Sequence, residues 1–127
     1  MINCYYPDIK YSDEEIEKFF QIICCDSYKN NGSDGRIGRK LYSILKAEYK
    51  ELEISFEIIN ITSENVDRNV LAELMGKWKL YFTCITQSEI NSADFFDEVI
   101  TSCRREDGFF VWSIPIITVI KNVNNKL

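Results

Sequence analysis

Glu51-Leu52-Glu53-Ile54-Ser55-Phe56-Glu57-Ile58 decides the fold, because its apolar residues recur at every second position. Leu52, Ile54, Phe56 and Ile58 fall on one side and Glu51, Glu53, Ser55 and Glu57 on the other, the period of a half-buried strand. Downstream, Thr62 or Ser63 is placed to cap a helix carrying Val66, Val70, Leu71 and Leu74, with Gly76 where a left-handed helix stop belongs. Trp78, Leu80, Phe82 and Cys84 then alternate with Lys79, Tyr81 and Thr83, which predicts a second strand. Asn91 or Ser92 opens a further helix through Phe96, Val99, Ile100 and Cys103, closed by Arg104 and Arg105, cations suited to a helix C-terminus. Beyond the turn Glu106-Asp107-Gly108, the apolar run from Phe109 to Ile120 is strand material, expected to split or bulge at Pro115, which has no N–H for a ladder. Strand, helix, strand, helix, strand over residues 51–114 is the order of crossover units, so part of the sheet is expected to be parallel. The acids on the first strand imply that one sheet face, or an edge, is not fully covered.

Upstream of this stretch the pattern is helical. Ser12-Asp13-Glu14-Glu15 is a capping box, and Ile16, Phe19, Phe20, Ile23 and Cys24 follow at the spacing of one helix face. Asp13, Glu14, Glu15 and Glu17 sit where the helix dipole favours negative charge. From Asp26 to Gly38 the composition shifts to Lys29-Asn30-Asn31-Gly32-Ser33-Asp34-Gly35, which predicts a loop leading into Ile37, Leu41, Ile44, Leu45, Tyr49 and Leu52, residues that fit a helix face. Leu41, Ser43, Leu45 and Ala47 also alternate, so a hairpin over residues 37–50 stays open. The expected architecture is α+β leaning towards α/β, with about four helices on a mixed sheet of three to five strands. It forms one layered domain over residues 1–127.

Composition narrows the chemistry. The 127 residues are 46% apolar, enough to bury a core without disulfide or metal staples. No histidine is present, which removes Ser-His and Cys-His pairs, histidine-ligated metals and a histidine pH switch. Fifteen Lys and Arg against twenty Asp and Glu give a net charge of -5, opposed to general nucleic-acid binding, which relies on cations neutralising phosphates. Met1 to Ile9 has neither a basic leader nor a long apolar core, and the run from Phe109 to Ile120 is too short to span a bilayer, so a cytoplasmic protein without membrane contact is expected. Cys4, Cys24, Cys25, Cys84 and Cys103 are odd in number and contain no C-x-x-C pair, which reads as small buried hydrophobes.

Catalytic patterns are thin. Asp8, Glu48 and Lys50 superficially match the carboxylate-carboxylate-lysine set of restriction-type nucleases, but the tripeptide falls at the end of an expected helix. Gly32-Ser33-Asp34-Gly35 matches the backbone-clamping loop of KH-type RNA-binding domains, with Lys29, Arg36, Arg39 and Lys40 nearby. Asp34 and the acidic whole count against it. No nucleotide-binding glycine signature and no calcium loop occurs. No catalytic, cofactor or metal site is therefore expected.

The acids themselves are the better candidates. Glu51, Glu53 and Glu57 share a strand face, Asp94, Asp97 and Glu98 share a helix, and Glu106 and Asp107 follow in a turn. Together they can supply a field that captures a basic partner quickly, with Tyr5, Tyr6, Tyr11, Tyr42, Tyr49 and Tyr81 as aromatic anchors where exposed. Small size, acidity, free cysteines and an Asn/Lys/Ile-rich makeup resemble bacterial toxin-immunity proteins, including those of contact-dependent inhibition systems. That resemblance implies a cytoplasmic inhibitor that occludes the active site of a basic toxin, often a nuclease. A phage or mobile-element inhibitor of a host defence complex is the alternative binding role.

Overall fold

A computed structural model describes residues 2–32, 37–85 and 92–121, with residues 24–31, 39 and 85 described in backbone only. The elements run β1 (Ile2–Tyr5), α1 (Asp13–Asn31), α2 (Ile37–Glu48), β2 (Glu53–Thr62), α3 (Arg68–Ile85), α4 (Ser92–Arg104) and β3 (Phe109–Ile120). Four helices pack on a three-stranded sheet of order β1-β3-β2, a small α+β fold as expected. Residues 37–48 are helix, not hairpin. Both strand pairings are antiparallel, so the parallel pairing expected from the crossover order is absent. The cause is the segment over residues 78–84, which is helix where a middle strand was predicted. Its removal leaves β2 and β3 as direct neighbours joined through α3 and α4.

The helix starts follow local hydrogen bonding. Before α1, the Ser12 amide donates to the Glu15 carboxylate at 3.0 Å and the Glu15 amide to the Ser12 hydroxyl at 3.2 Å, the predicted capping box. Residues 26–31, expected as loop, continue α1 to Asn31, and Gly32 follows at φ 73°, the left-handed conformation that ends helices. The cap predicted at Thr62 or Ser63 instead closes a turn, in which the Glu64 and Asn65 amides donate to the Thr62 hydroxyl. Asp67 caps α3, accepting from the Asn69 and Val70 amides at 2.9 and 3.2 Å. Gly76, expected as a stop, lies within α3.

Two layers of helix flank the sheet at different places. Cys4, Phe110 and Trp112 point to the face covered by α1, α3 and α4, where Phe19, Leu71, Met75, Phe95, Phe96 and Val99 complete the core. Phe19 stacks on Phe95 with ring centroids 3.7 Å apart, and Phe82 lies parallel to Phe96 at 5.8 Å. Phe19, Phe95 and Phe96 are fully buried, and each contributes about 1.5–3 kcal/mol through removal of its side chain from water, whereas Phe82 is partly buried. The opposite face carries α2, whose Tyr42 meets Phe56 edge to face at 5.8 Å. A Cβ added at Gly38 would lie 2.6 Å from Pro115 Cγ, so this glycine lets α2 approach the sheet. At Gly108 the same atom would lie 2.3 Å from the Ser102 carbonyl oxygen, and the tight turn from α4 into β3 requires its absence.

β3 is continuous through Pro115. Its pairing with β2 keeps one register from Glu53↔Ile120 to Thr62↔Val111, with neither the split nor the bulge expected. The Ser63 amide donates to the Phe110 carbonyl at 3.0 Å, and bonded pairs recur at every second residue. Pro115 thus falls between them. Its imide nitrogen faces the side that β1, paired only as far as Trp112, leaves open.

Candidate functional site

The acids of α4 are held by the fold. Asp94 accepts from the Tyr11 hydroxyl at 2.5 Å and pairs with Lys10, which hold its carboxyl below the usual carboxylate range. Asp97 receives the Lys79 ammonium at 2.6 Å, and Glu98 accepts from the Tyr6 hydroxyl. Asp107 takes two bonds from the Arg105 guanidinium, at 2.7 and 2.6 Å, which lower its pKa. That guanidinium also lies 4.9 Å from the Tyr6 ring centroid and 3.6 Å from Asp8. Glu106 is exposed beside this network. These groups tie α4 to the segment after β1 and to α3.

Arg68, which the sequence reading passed over, organises the same end of α4. Its Nη1 donates to the carbonyls of Cys103, Arg105 and Gly108, while Nη2 donates to Glu64 at 2.9 Å. Arg104 stands in the last turn of α4, the helix-terminal cation expected there, and Arg68 adds a second from α3. Only the juxtaposition of α3 and α4 reveals that Arg68 does it.

Glu53 and Glu57 stand differently. Both are exposed on β2, and neither has a salt bridge among the described residues. Across the ladder they face Ile120 and Ile116, so β3 offers them no cation. Ser55, Ile59 and Ile114 share their face by the two-residue period. Glu51 is exposed in the turn before the strand. The predicted uncovered sheet face is therefore here, opposite the face bearing α2. The apolar side expected to be buried is only partly so: Ile54 is buried, whereas Phe56 and Ile58 are 45% and 57% exposed. α2 reaches this face through Gly38 at Pro115 and Tyr42 at Phe56, and still leaves Phe56 and Ile58 largely exposed.

β2 is also an edge strand. With odd-numbered residues bonded to β3, the N–H and C=O groups of Ile54, Phe56, Ile58, Asn60 and Thr62 point outward. Asn65 closes the last part of that edge, accepting from the Thr62 amide and donating to the Asn60 carbonyl, each at 2.8 Å. The amides and carbonyls of Ile54, Phe56 and Ile58 remain without a protein partner among the described residues.

The remaining candidates separate. Asp8 lies by Arg105, whereas Glu48 ends α2 and Lys50 follows it, and among the described elements α2 packs on β2 and β3 alone. No group of three metal-ligating side chains occurs among the described residues. Of the Gly32–Gly35 loop, residues 33–35 lie outside the described residues, as do Arg36 and the side chains of Lys29 and Arg39. Cys4 and Cys103 are buried as expected, with burial pushing their thiols up to about 11 and about 12, while Cys84 is exposed. The Cys24 and Cys25 side chains fall outside the described set. Among the proposed aromatic anchors Tyr5, Tyr49 and Tyr81 are exposed and Tyr6 is buried. A cleft of about 210 Å³ lined by Tyr11, Glu15, Lys18, Phe19 and Phe95 is smaller than ordinary small-molecule sites.

No helix among the described residues is long and apolar enough to cross a membrane. Compared with protein-family models, curated proteins and solved structures, the chain finds no match in any of the three.

Proposed function

We infer that the protein is a cytoplasmic binding protein that neutralises a basic protein partner, such as a nuclease toxin, by occluding its active site. The observation that carries this reading is the contrast between two sets of acids. Those of α4 and the following turn, Glu106 apart, are engaged by Lys10, Lys79, Arg105 and two tyrosines, whereas Glu53 and Glu57 face solvent across from isoleucines. Exposed carboxylates that have no salt bridge among the described residues are available to the complementary charges of a basic partner. The site therefore contracts to Glu53 and Glu57 with neighbouring Glu51, and the α4 acids take structural roles.

The test is co-purification with the products of adjacent genes, followed by the double variant Glu53→Gln/Glu57→Gln. A basic product should bind, lose its toxicity in the complex, and bind the double variant at least about tenfold more weakly at low salt. Absence of binding or protection with every adjacent product overturns the reading.

A further inference from the structure

We propose that residues 54–58 of β2 accept an extended segment of the basic partner as a fourth strand, with lysine or arginine side chains at alternate positions meeting Glu53 and Glu57. This rests on the reading that the partner is a basic protein. The edge is open where those carboxylates are: Ile54, Phe56 and Ile58 present unpaired amide and carbonyl groups, and Asn65 closes the edge only from Asn60 onward. Residues 53–62 contain no proline, lysine or bulge, and the charges that protect this edge are the acids Glu53 and Glu57, which oppose an acidic strand and not a basic one. Across from the two glutamates lie Ile120 and Ile116, with Ile59 and Ile114 beyond. Cationic side chains directly opposite Glu53 and Glu57 on the added strand would meet the carboxylates on one sheet face, the isoleucines of β3 lying beyond them.

The same acids select the occupant. A second copy of this chain brings another net charge of -5 to the edge, whereas a basic segment brings cations to two exposed carboxylates that have no salt bridge among the described residues. Main-chain bonds would supply register and the alternating cations specificity, the division of labour in strand addition.

The experiment titrates the full-length protein with a seven-residue peptide in which lysine alternates with threonine and valine, its ends blocked, followed by amide NMR and hydrogen exchange. Two further peptides carry N-methyl groups, one on the lysines and one on the intervening residues. Binding should slow exchange of the Ile54, Phe56 and Ile58 amides. One methylation pattern, the one whose amides face β2, should weaken binding at least about tenfold while the other leaves it within about threefold. Glu53→Gln/Glu57→Gln should weaken the unmodified peptide about tenfold and flatten its salt dependence. Equal binding of all three peptides, with the glutamine variant still weakened, overturns strand addition and leaves the basic-partner reading standing. No effect of the glutamine variant overturns the charge pairing in both. No binding of any peptide at millimolar concentration also overturns strand addition, with the adjacent-gene test still deciding the broader reading.

Discussion

Tyr6, Tyr11, Cys4 and Cys103 hold their protons beyond the ordinary range. Burial, reinforced by Glu98 at Tyr6 and by Asp94 at Tyr11, pushes both phenols from 10.0 up to about 12, and burial pushes the two thiols from 9.0 up to about 11 and about 12. The folded protein binds these protons more tightly than the unfolded chain, so their contribution is fully present below pH 9 and is lost as pH rises through 12. The urea midpoint is expected to fall steeply between pH 9 and pH 12, and Tyr6→Phe with Tyr11→Phe should flatten that fall; a constant midpoint contradicts it. At the acid end the sign reverses. Asp94 and Asp107 have lowered pKa values, so their contribution is present above 3.8 and is lost as pH falls below it. The tyrosine shifts were not legible in the sequence, because Tyr6 and Glu98 are 92 positions apart and Tyr11 and Asp94 are 83, and they meet only through packing. The capping pair Ser12 and Glu15 was legible, its partners being three residues apart.

At the scale of the element, α3 carries the instructive error. Trp78, Leu80, Phe82 and Cys84 alternate, but Leu71, Met75, Trp78 and Phe82 also recur at i, i+4, i+7 and i+11, a helical stripe. The second pattern wins because its residues reach one core: Leu71 and Met75 are buried, Trp78 meets Trp112 at 4.8 Å and Phe82 meets Phe96. Leu80 is left 71% exposed, the cost of that choice. Gly76 was taken for a stop, yet it is helical and a Cβ there meets nothing within 4 Å. Gly76→Ala is therefore expected to raise unfolding free energy by about 0.5–1 kcal/mol in a denaturant titration. Destabilisation would mean that this glycine has a role beyond helix interior. α2 gives the opposite expectation. Gly38→Ala forces a methyl group towards Pro115 and should cost about 1–3 kcal/mol by overpacking. In a double-mutant cycle, Pro115→Ala should recover a large part of it; additive effects would show that α2 does not bear on Pro115.

Over the whole molecule, net charge gave a direction and the fold gave it a place. In the sequence the Glu51, Glu53 and Glu57 face is the most interpretable of the acidic sets, but composition cannot say which carboxylates meet cations. Folding brings Lys10, Lys79 and Arg105 to the α4 acids and Asp107, and leaves Glu53 and Glu57 to solvent. Stability and binding should therefore separate. Glu53→Gln/Glu57→Gln is expected to change unfolding free energy by no more than about 0.5 kcal/mol, as exposed substitutions usually do. Asp94→Asn, which weakens the links to Lys10 and Tyr11, should lower the denaturant midpoint. The reverse ranking in a urea titration contradicts this division of the charges.

The sequence by itself determined the local devices and the class: the α1 cap and stripe, the alternation of β2, the strand-forming run of β3, the amphipathic α4 and an acidic α+β chain without histidine. These depend on periods and hydrogen bonds spanning a few residues. Tertiary structure alone decided that residues 78–84 are helix, that β2 lies at the edge beside an antiparallel β3, and that Arg68 completes the α4 C-terminus. Each of these depends on which surfaces meet, and when a short apolar pattern fits two periods, the available core selects between them.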